Sequence, residues 1–253
     1  MRAALQGDLV LQLDGYAKFF TLHSQGKLIP SAHEVNLTVY AGQLTALTGP
    51  TGAGKSSILK GIFRTYLPSA GRILYRARNG NLIDIARAEE YQVLELRRSE
   101  ISCVTQFLHC LPRQAALDVV AAPLCLLGAT REVAREKAAQ LLTQLNLPER
   151  LWSVSPANFS GGEKQRINLA RGLVTSPRLI LLDEPTASLD PATTELVIEL
   201  ITKIKRQGAA ILAIFHDPVI TRRLADSVIE LRPALSIEEI IKDGHEFDLP
   251  HAR

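Results

Sequence analysis

The chain has 253 residues, 46% of them apolar, enough for one large domain or for a domain carrying a subdomain. Its 29 basic and 26 acidic residues leave a net charge of +3, too even a balance to mark a nucleic-acid or anionic-membrane partner. No apolar run approaches the roughly 20 residues that span a bilayer, and Asp8 and Gln12 interrupt the apolar stretch near the start, so a soluble, cytoplasmic protein with no secretory signal is expected.

In chain order, residues 9–13 and 16–23 read as strands, and residues 35–39 alternate apolar and polar before an Ala41-Gly42 turn. Residues 44–48 are a short apolar run bounded by glycine, the pattern of a buried parallel strand. A helix is expected over 55–66, stopped by Pro68, followed by strands at 71–75 and 82–85 that join the first ones in a small antiparallel sheet. A further strand is expected at 101–105. From 115 to about 146 the pattern turns helical. Thr130 is placed to cap a run in which Val133, Ala134, Lys137, Ala138, Leu141, Leu142 and Leu145 recur at helical spacing. That block interrupts an α/β alternation that resumes with strand 179–182, helix 191–207 ended by Gly208, strand 210–215, helix 218–225 and strand 228–231. The expected fold is therefore α/β, a parallel sheet covered on both faces, with an inserted helical subdomain. The cysteines, Cys103, Cys110 and Cys125, lack C-x-x-C spacing and are expected to be buried free thiols in a reducing compartment.

Two motifs carry chemistry on their own residues. Gly49-Pro50-Thr51-Gly52-Ala53-Gly54-Lys55-Ser56 matches G-x-x-x-x-G-K-[ST] between an expected strand and an expected helix, the context that validates a phosphate loop. Glycines let successive backbone N–H groups turn inward on an anion, and the helix adds its positive end. Lys55 is placed for the β- and γ-phosphates of ATP, Ser56 for Mg²⁺, and Ser57 belongs to the same nucleotide-binding turn. The apolar strand ending in Asp183 and Glu184 brings two acids to a sheet edge, Asp183 for the Mg²⁺ shell and Glu184 to polarise the attacking water.

With Phe159-Ser160-Gly161-Gly162-Glu163 before a helix, the chain resembles the ATP-binding cassette (ABC) ATPase family, whose signature usually reads L-S-G-G-Q. The resemblance runs from residue 9 to about 231 and implies a P-loop NTPase cassette in that span, with a helical subdomain at about 107–175 and an appendage at 232–253. It implies that Ser160, Gly161 and Gly162 cradle the γ-phosphate held by an opposite protomer, giving two ATP molecules in a head-to-tail dimer. Glu163 stands where the family usually has glutamine. Further roles implied by the resemblance are Gln106 linking Mg²⁺ and water to the helical subdomain, His216 on the γ-phosphate, Ser188-Leu189-Asp190 at the dimer interface, and Phe20 stacking on adenine, with Tyr16 and Phe19 as rivals.

Several stretches resemble the PhnL branch, accessory cassette ATPases of the carbon–phosphorus (C-P) lyase system for phosphonate degradation. They include Gln106-Phe107-Leu108 with Leu111-Pro112-Arg113, Pro148-Glu149-Arg150-Leu151-Trp152 and Phe215-His216-Asp217. That branch implies ATP hydrolysis alongside the C-P lyase core complex, with an identical chain or a sister cassette as dimer partner. The alternative is the nucleotide-binding subunit of a membrane transporter of exporter or lipoprotein-releasing type, whose membrane subunit would dock behind Gln106.

Overall fold

The computed structural model describes residues 7–22, 24, 27–108, 110–111 and 113–233. Strands β1 (Leu9–Leu22), β2 (Lys27–Tyr40), β4 (Ala70–Arg76) and β5 (Leu82–Asp84) form an antiparallel sheet in the order β2-β1-β4-β5. Strands β3 (Leu44–Thr48), β6 (Ile101–Val104), β7 (Leu179–Asp183), β8 (Ala210–Ile214) and β9 (Ser227–Glu230) form a five-stranded parallel sheet in the order β6-β7-β8-β3-β9. Every residue of β7 and β8 is buried, as their unbroken apolar runs require of strands covered on both faces.

Residues 9–13 and 16–23, expected as separate strands, belong to one strand through residue 22. Gly15, at φ 58°, lets the chain bulge between Leu13 and Tyr16 without leaving the ladder. His23 lies outside the described residues. Helix α1 (Lys55–Ile62) is shorter than expected. Its stop is not Pro68 but Arg64, at φ 60°, whose guanidinium donates to the carbonyls of Ile85 and Ala88. Inside α1, a side chain on Gly61 would collide with the ring and hydroxyl of Tyr16 from the antiparallel sheet. The Tyr16 hydroxyl donates to the Ser57 carbonyl at 3.2 Å, so α1 is wedged between the two sheets.

Helix α2 (Glu90–Ser99) was not foreseen. Only Val93 and Leu96 are buried in it, too sparse an apolar stripe to register, although Glu89 and Gln92 form a reciprocal capping box. The helical block comprises α3 (Ala116–Leu126) and α4 (Arg131–Gln144), packed with α5 (Gly161–Leu173) around Val120, Ala134, Ala138, Leu142 and Leu169. Thr130 caps α4 through Val133 N–H, as its position predicts, but Val133 itself is exposed because it lies off the packed stripe. Trp152 closes the connection to α5, its indole N–H donating to Leu147 O at 3.0 Å. Beyond β7, α6 (Pro191–Arg206) ends at Gly208, which takes φ 98°, and α7 (Pro218–Leu224) leads to β9.

The cysteines are free, but only two have the expected shelter: Cys125 on α3 is exposed. Burial pushes the half-buried Cys103 thiol in β6 up to about 12. Residues 234–253 of the expected appendage, and Pro112, lie outside the described residues.

Candidate functional site

The C-terminal ends of β3, β6, β7 and β8 lie side by side, and the residues that follow them form one site. This is where a parallel sheet presents its ligand crevice. From β3 the chain enters the loop 49–54, in which Gly49, Gly52 and Gly54 have φ of 128°, 86° and 81°. A side chain at Gly54 would strike the Ser31 carbonyl in β2, and one at Gly49 the Leu231 carbonyl, so these positions need glycine for room as well as conformation. The Lys55 ammonium donates to the Gly49 and Pro50 carbonyls, each at 2.8 Å, which sets its charge across the loop. Pro50, Thr51 and Ala53 complete the curl, closed by the Ala53 N–H on Pro50 O at 3.2 Å.

The Ser56 hydroxyl donates to Asp183 Oδ1 at 3.1 Å. Asp183 is buried, and burial raises its carboxyl above the ordinary value, with the Ser56 hydrogen bond pulling the other way and Glu184 adding to the rise. A hydroxyl and a carboxylate are hard oxygen donors, so the pair fits Mg²⁺ bound with phosphate oxygens. Among the described residues no cluster of three or more His, Cys, Asp or Glu side chains stands ready to hold a metal ion alone.

Glu184 takes φ 55°, held by its N–H on Ile214 O at 3.1 Å, and this turn swings the side chain across the sheet edge. Its Oε1 lies 2.6 Å from His216 Nε2, and its Oε2 accepts from the Gln106 amide at 3.4 Å. The structure thus brings Gln106, Asp183, Glu184 and His216 together with Ser56.

Ser160 caps α5. Its hydroxyl accepts from Glu163 N–H at 3.3 Å, while its own N–H and O–H both donate to Glu163 Oε2 at 2.8 Å. Those two donors, the N–H first, hold the Glu163 carboxyl below its ordinary value. A side chain on Gly162 would come within 3.0 Å of the Ser188 carbonyl, so the bare glycines let the loop 188–190 lie against the start of α5. Asp190 caps α6 through Thr193 N–H at 3.0 Å and Thr193 Oγ1 at 2.6 Å, which holds its carboxyl low.

Phe20 sits opposite Ile29, two strand positions from Ser31, whose hydroxyl bonds to Ser57 Oγ at 2.8 Å. Its ring meets Tyr66 edge-on at 5.2 Å, under the Lys18 ammonium at 4.9 Å. Tyr16 is corrected as a rival: fully buried against α1, it has no face to offer a base. Phe19 is tilted against His33 at 6.2 Å.

Two buried polar residues of α5 escaped the sequence reading. Gln165 Nε2 donates to Pro185 O at 3.3 Å, and Asn168 Nδ2 to Thr105 O at 2.6 Å. They tie α5 to the residue after Glu184 and to the one before Gln106. The signal available was two amides three positions apart on the face carrying Leu169 and Leu173.

A family model described as ABC transporter matches residues 32–187. The chain belongs to the ABC transporter family. The family's nucleotide-binding subunits provide its relatives. YvrO, an uncharacterized ABC transporter ATP-binding protein of Bacillus subtilis, is 33% identical over 96% of this chain and 100% of its own. Lipoprotein-releasing system ATP-binding proteins named LolD are similar too. That of Hyphomonas neptunium is 35% identical over 91% of this chain and 98% of its own, and LolD 2 of Caulobacter vibrioides is 36% identical over 94% and 96%. The cassette MJ0796, solved as a dimer in a post-hydrolysis state bound to ADP and Pi, superposes with a TM-score of 0.81 at 28% identity, covering 90% of this chain and 96% of that one. The fold is that of an ABC ATPase, and the chain is an ABC-type ATP hydrolase.

Proposed function

We propose that the chain is the ATP-hydrolysing subunit of a membrane transporter of lipoprotein-releasing type, acting on the cytoplasmic side as one half of a head-to-tail cassette dimer. The observation that carries the reading is the convergence of Ser56–Asp183 and Gln106–Glu184–His216 on the edge where the glycine loop opens. The LolD names and the dimeric MJ0796 cassette support the class of partner.

In this reading Lys55 and the loop N–H groups bind the phosphates of ATP, and Ser56 with Asp183 and Gln106 holds Mg²⁺, which neutralises charge on the phosphate oxygens when bound. Glu184 takes the proton of the attacking water. His216 and Gln106, one on each carboxylate oxygen, fix its direction. Ser160, Gly161 and Gly162 of the neighbouring cassette close over the γ-phosphate, as helix N-termini favour anions. Phe20 stacks on the base and Asp190 faces the dimer seam. The membrane subunit seats in the groove of about 520 Å³ behind Gln106, lined by Phe107, Leu108, Leu111, Pro156 and Ala187. Phe107 and Leu111 are 68% and 72% exposed there, an apolar surface that a partner would cover.

A second reading, the accessory ATPase of the C-P lyase system, is favoured by the run Pro148–Trp152 and by Asp217 after His216. The structure gives both a local reason as well: the first forms the turn that Trp152 closes, and Asp217 caps α7 through Val219 N–H at 2.7 Å. The relatives above bear transporter names, so this reading stands second. Affinity purification of the chain from its host in mild detergent, with mass-spectrometric identification of stoichiometric subunits, tests the choice. A permease in the complex supports the first reading. Phosphonate-lyase subunits without one overturn it.

A further inference from the structure

The signature turn differs from an open anion hole in one respect. The Ser160 N–H and O–H, two donors that a phosphoryl oxygen would use, are both taken by one oxygen of Glu163 at 2.8 Å. A serine hydroxyl has a single hydrogen, so it cannot serve this carboxylate and a phosphate at once. Glu163 is half-buried, and its unbranched side chain has other staggered rotamers in which these bonds are released. Gly161 and Gly162 bring no side chain of their own to the turn.

We propose that Glu163 is a positioning residue that holds the two Ser160 donors of the signature turn occupied until a facing cassette presents a terminal phosphate. This rests on the head-to-tail reading above. Closure then exchanges one anion for another at Ser160: the carboxylate releases the N–H and O–H, the phosphoryl oxygens take them, and the displaced charge turns to solvent. A lone chain therefore withholds the Ser160 N–H and O–H from any phosphate at this end of α5, and free phosphate or a nucleotide from solution competes poorly for them. The like charge also raises the ATP concentration at which two chains close.

Glutamine separates this role from helix capping, because its amide oxygen still accepts from the cap while the charge is gone. The full-length chain carrying Glu184→Gln, to block hydrolysis, is compared with the same chain also carrying Glu163→Gln. ATP-dependent dimerisation is followed by light scattering across Mg-ATP concentration, and thermal melting of each protein is recorded without nucleotide. The expected result is a dimerisation midpoint about fivefold lower in ATP for the Glu163→Gln protein, the upper range for one exposed charge contact, with unchanged melting. Ser160→Ala in either background abolishes the dimer. Coincident midpoints for the two proteins overturn the proposal and leave the head-to-tail reading intact. Absence of an ATP-dependent dimer from every variant overturns both.

Discussion

His216 Nε2 lies 2.6 Å from Glu184 Oε1, yet the imidazole is 67% exposed while the carboxylate is only 17% exposed. The acid is seated in the protein and the histidine reaches over it from the end of β8. Such a pair orients the carboxylate while the imidazole stays open to solvent, and the Gln106 amide on Oε2 completes the grip.

Glu184→Gln keeps the shape and both neighbours but cannot take a proton. Turnover is expected to fall by at least about a hundredfold, the usual contribution of a general base, while ATP binding survives and an ATP-bound dimer accumulates. Phosphate release and light scattering on one sample check both halves. A variant that hydrolyses at the parental rate would remove Glu184 from the chemistry.

Lys55→Ala removes the charge that lies across the glycine loop. Nucleotide affinity is expected to drop about tenfold to a hundredfold, the range of one charge-assisted contact, in titration calorimetry at fixed Mg²⁺. His216→Ala, by contrast, leaves affinity within about threefold and lowers kcat.

Asp183 supplies a pH test. Burial raises its carboxyl above the ordinary 3.8, so the folded chain favours the neutral form. The folded state is accordingly disfavoured by this group once pH exceeds the raised value, and that penalty is absent below 3.8. Asp183→Asn should raise the melting temperature without nucleotide near pH 7, and the gain should shrink as pH falls through the carboxylate range. Its Mg-ATP turnover should be lost.

Asn168→Ala breaks the tether to Thr105 O and leaves a sheltered carbonyl short of a partner. A loss of about 1–3 kcal/mol is expected, seen as a fall of several degrees in melting temperature. Because Thr105 precedes Gln106, kcat should drop with KM for ATP little changed.

Much of this was legible beforehand where local chemistry decides local structure. The glycines of the loop, the capping Thr130 and the unbroken apolar β7 announce themselves. What the sequence withheld depends on distant partners. α2 has a weak apolar stripe because little of it is buried. The end of α1 is dictated by Arg64 reaching Ile85 and Ala88, far along the chain. Glu163 stands three residues after Ser160, the spacing of a capping box, so that bond was legible; its consequence for a phosphate at the same turn shows only in the geometry. Gln165 and Asn168 look like ordinary polar positions until the loops they hold are in view.

Tyr16 fills the gap that the missing Gly61 side chain leaves in α1. The glycine is as much a keyway as a turn of helix, and the tyrosine is its key. The small sheet is consequently no detachable ornament: replacing it by another module, or trimming the first twenty residues, would unseat the very rod on which the phosphate-gripping coil is mounted.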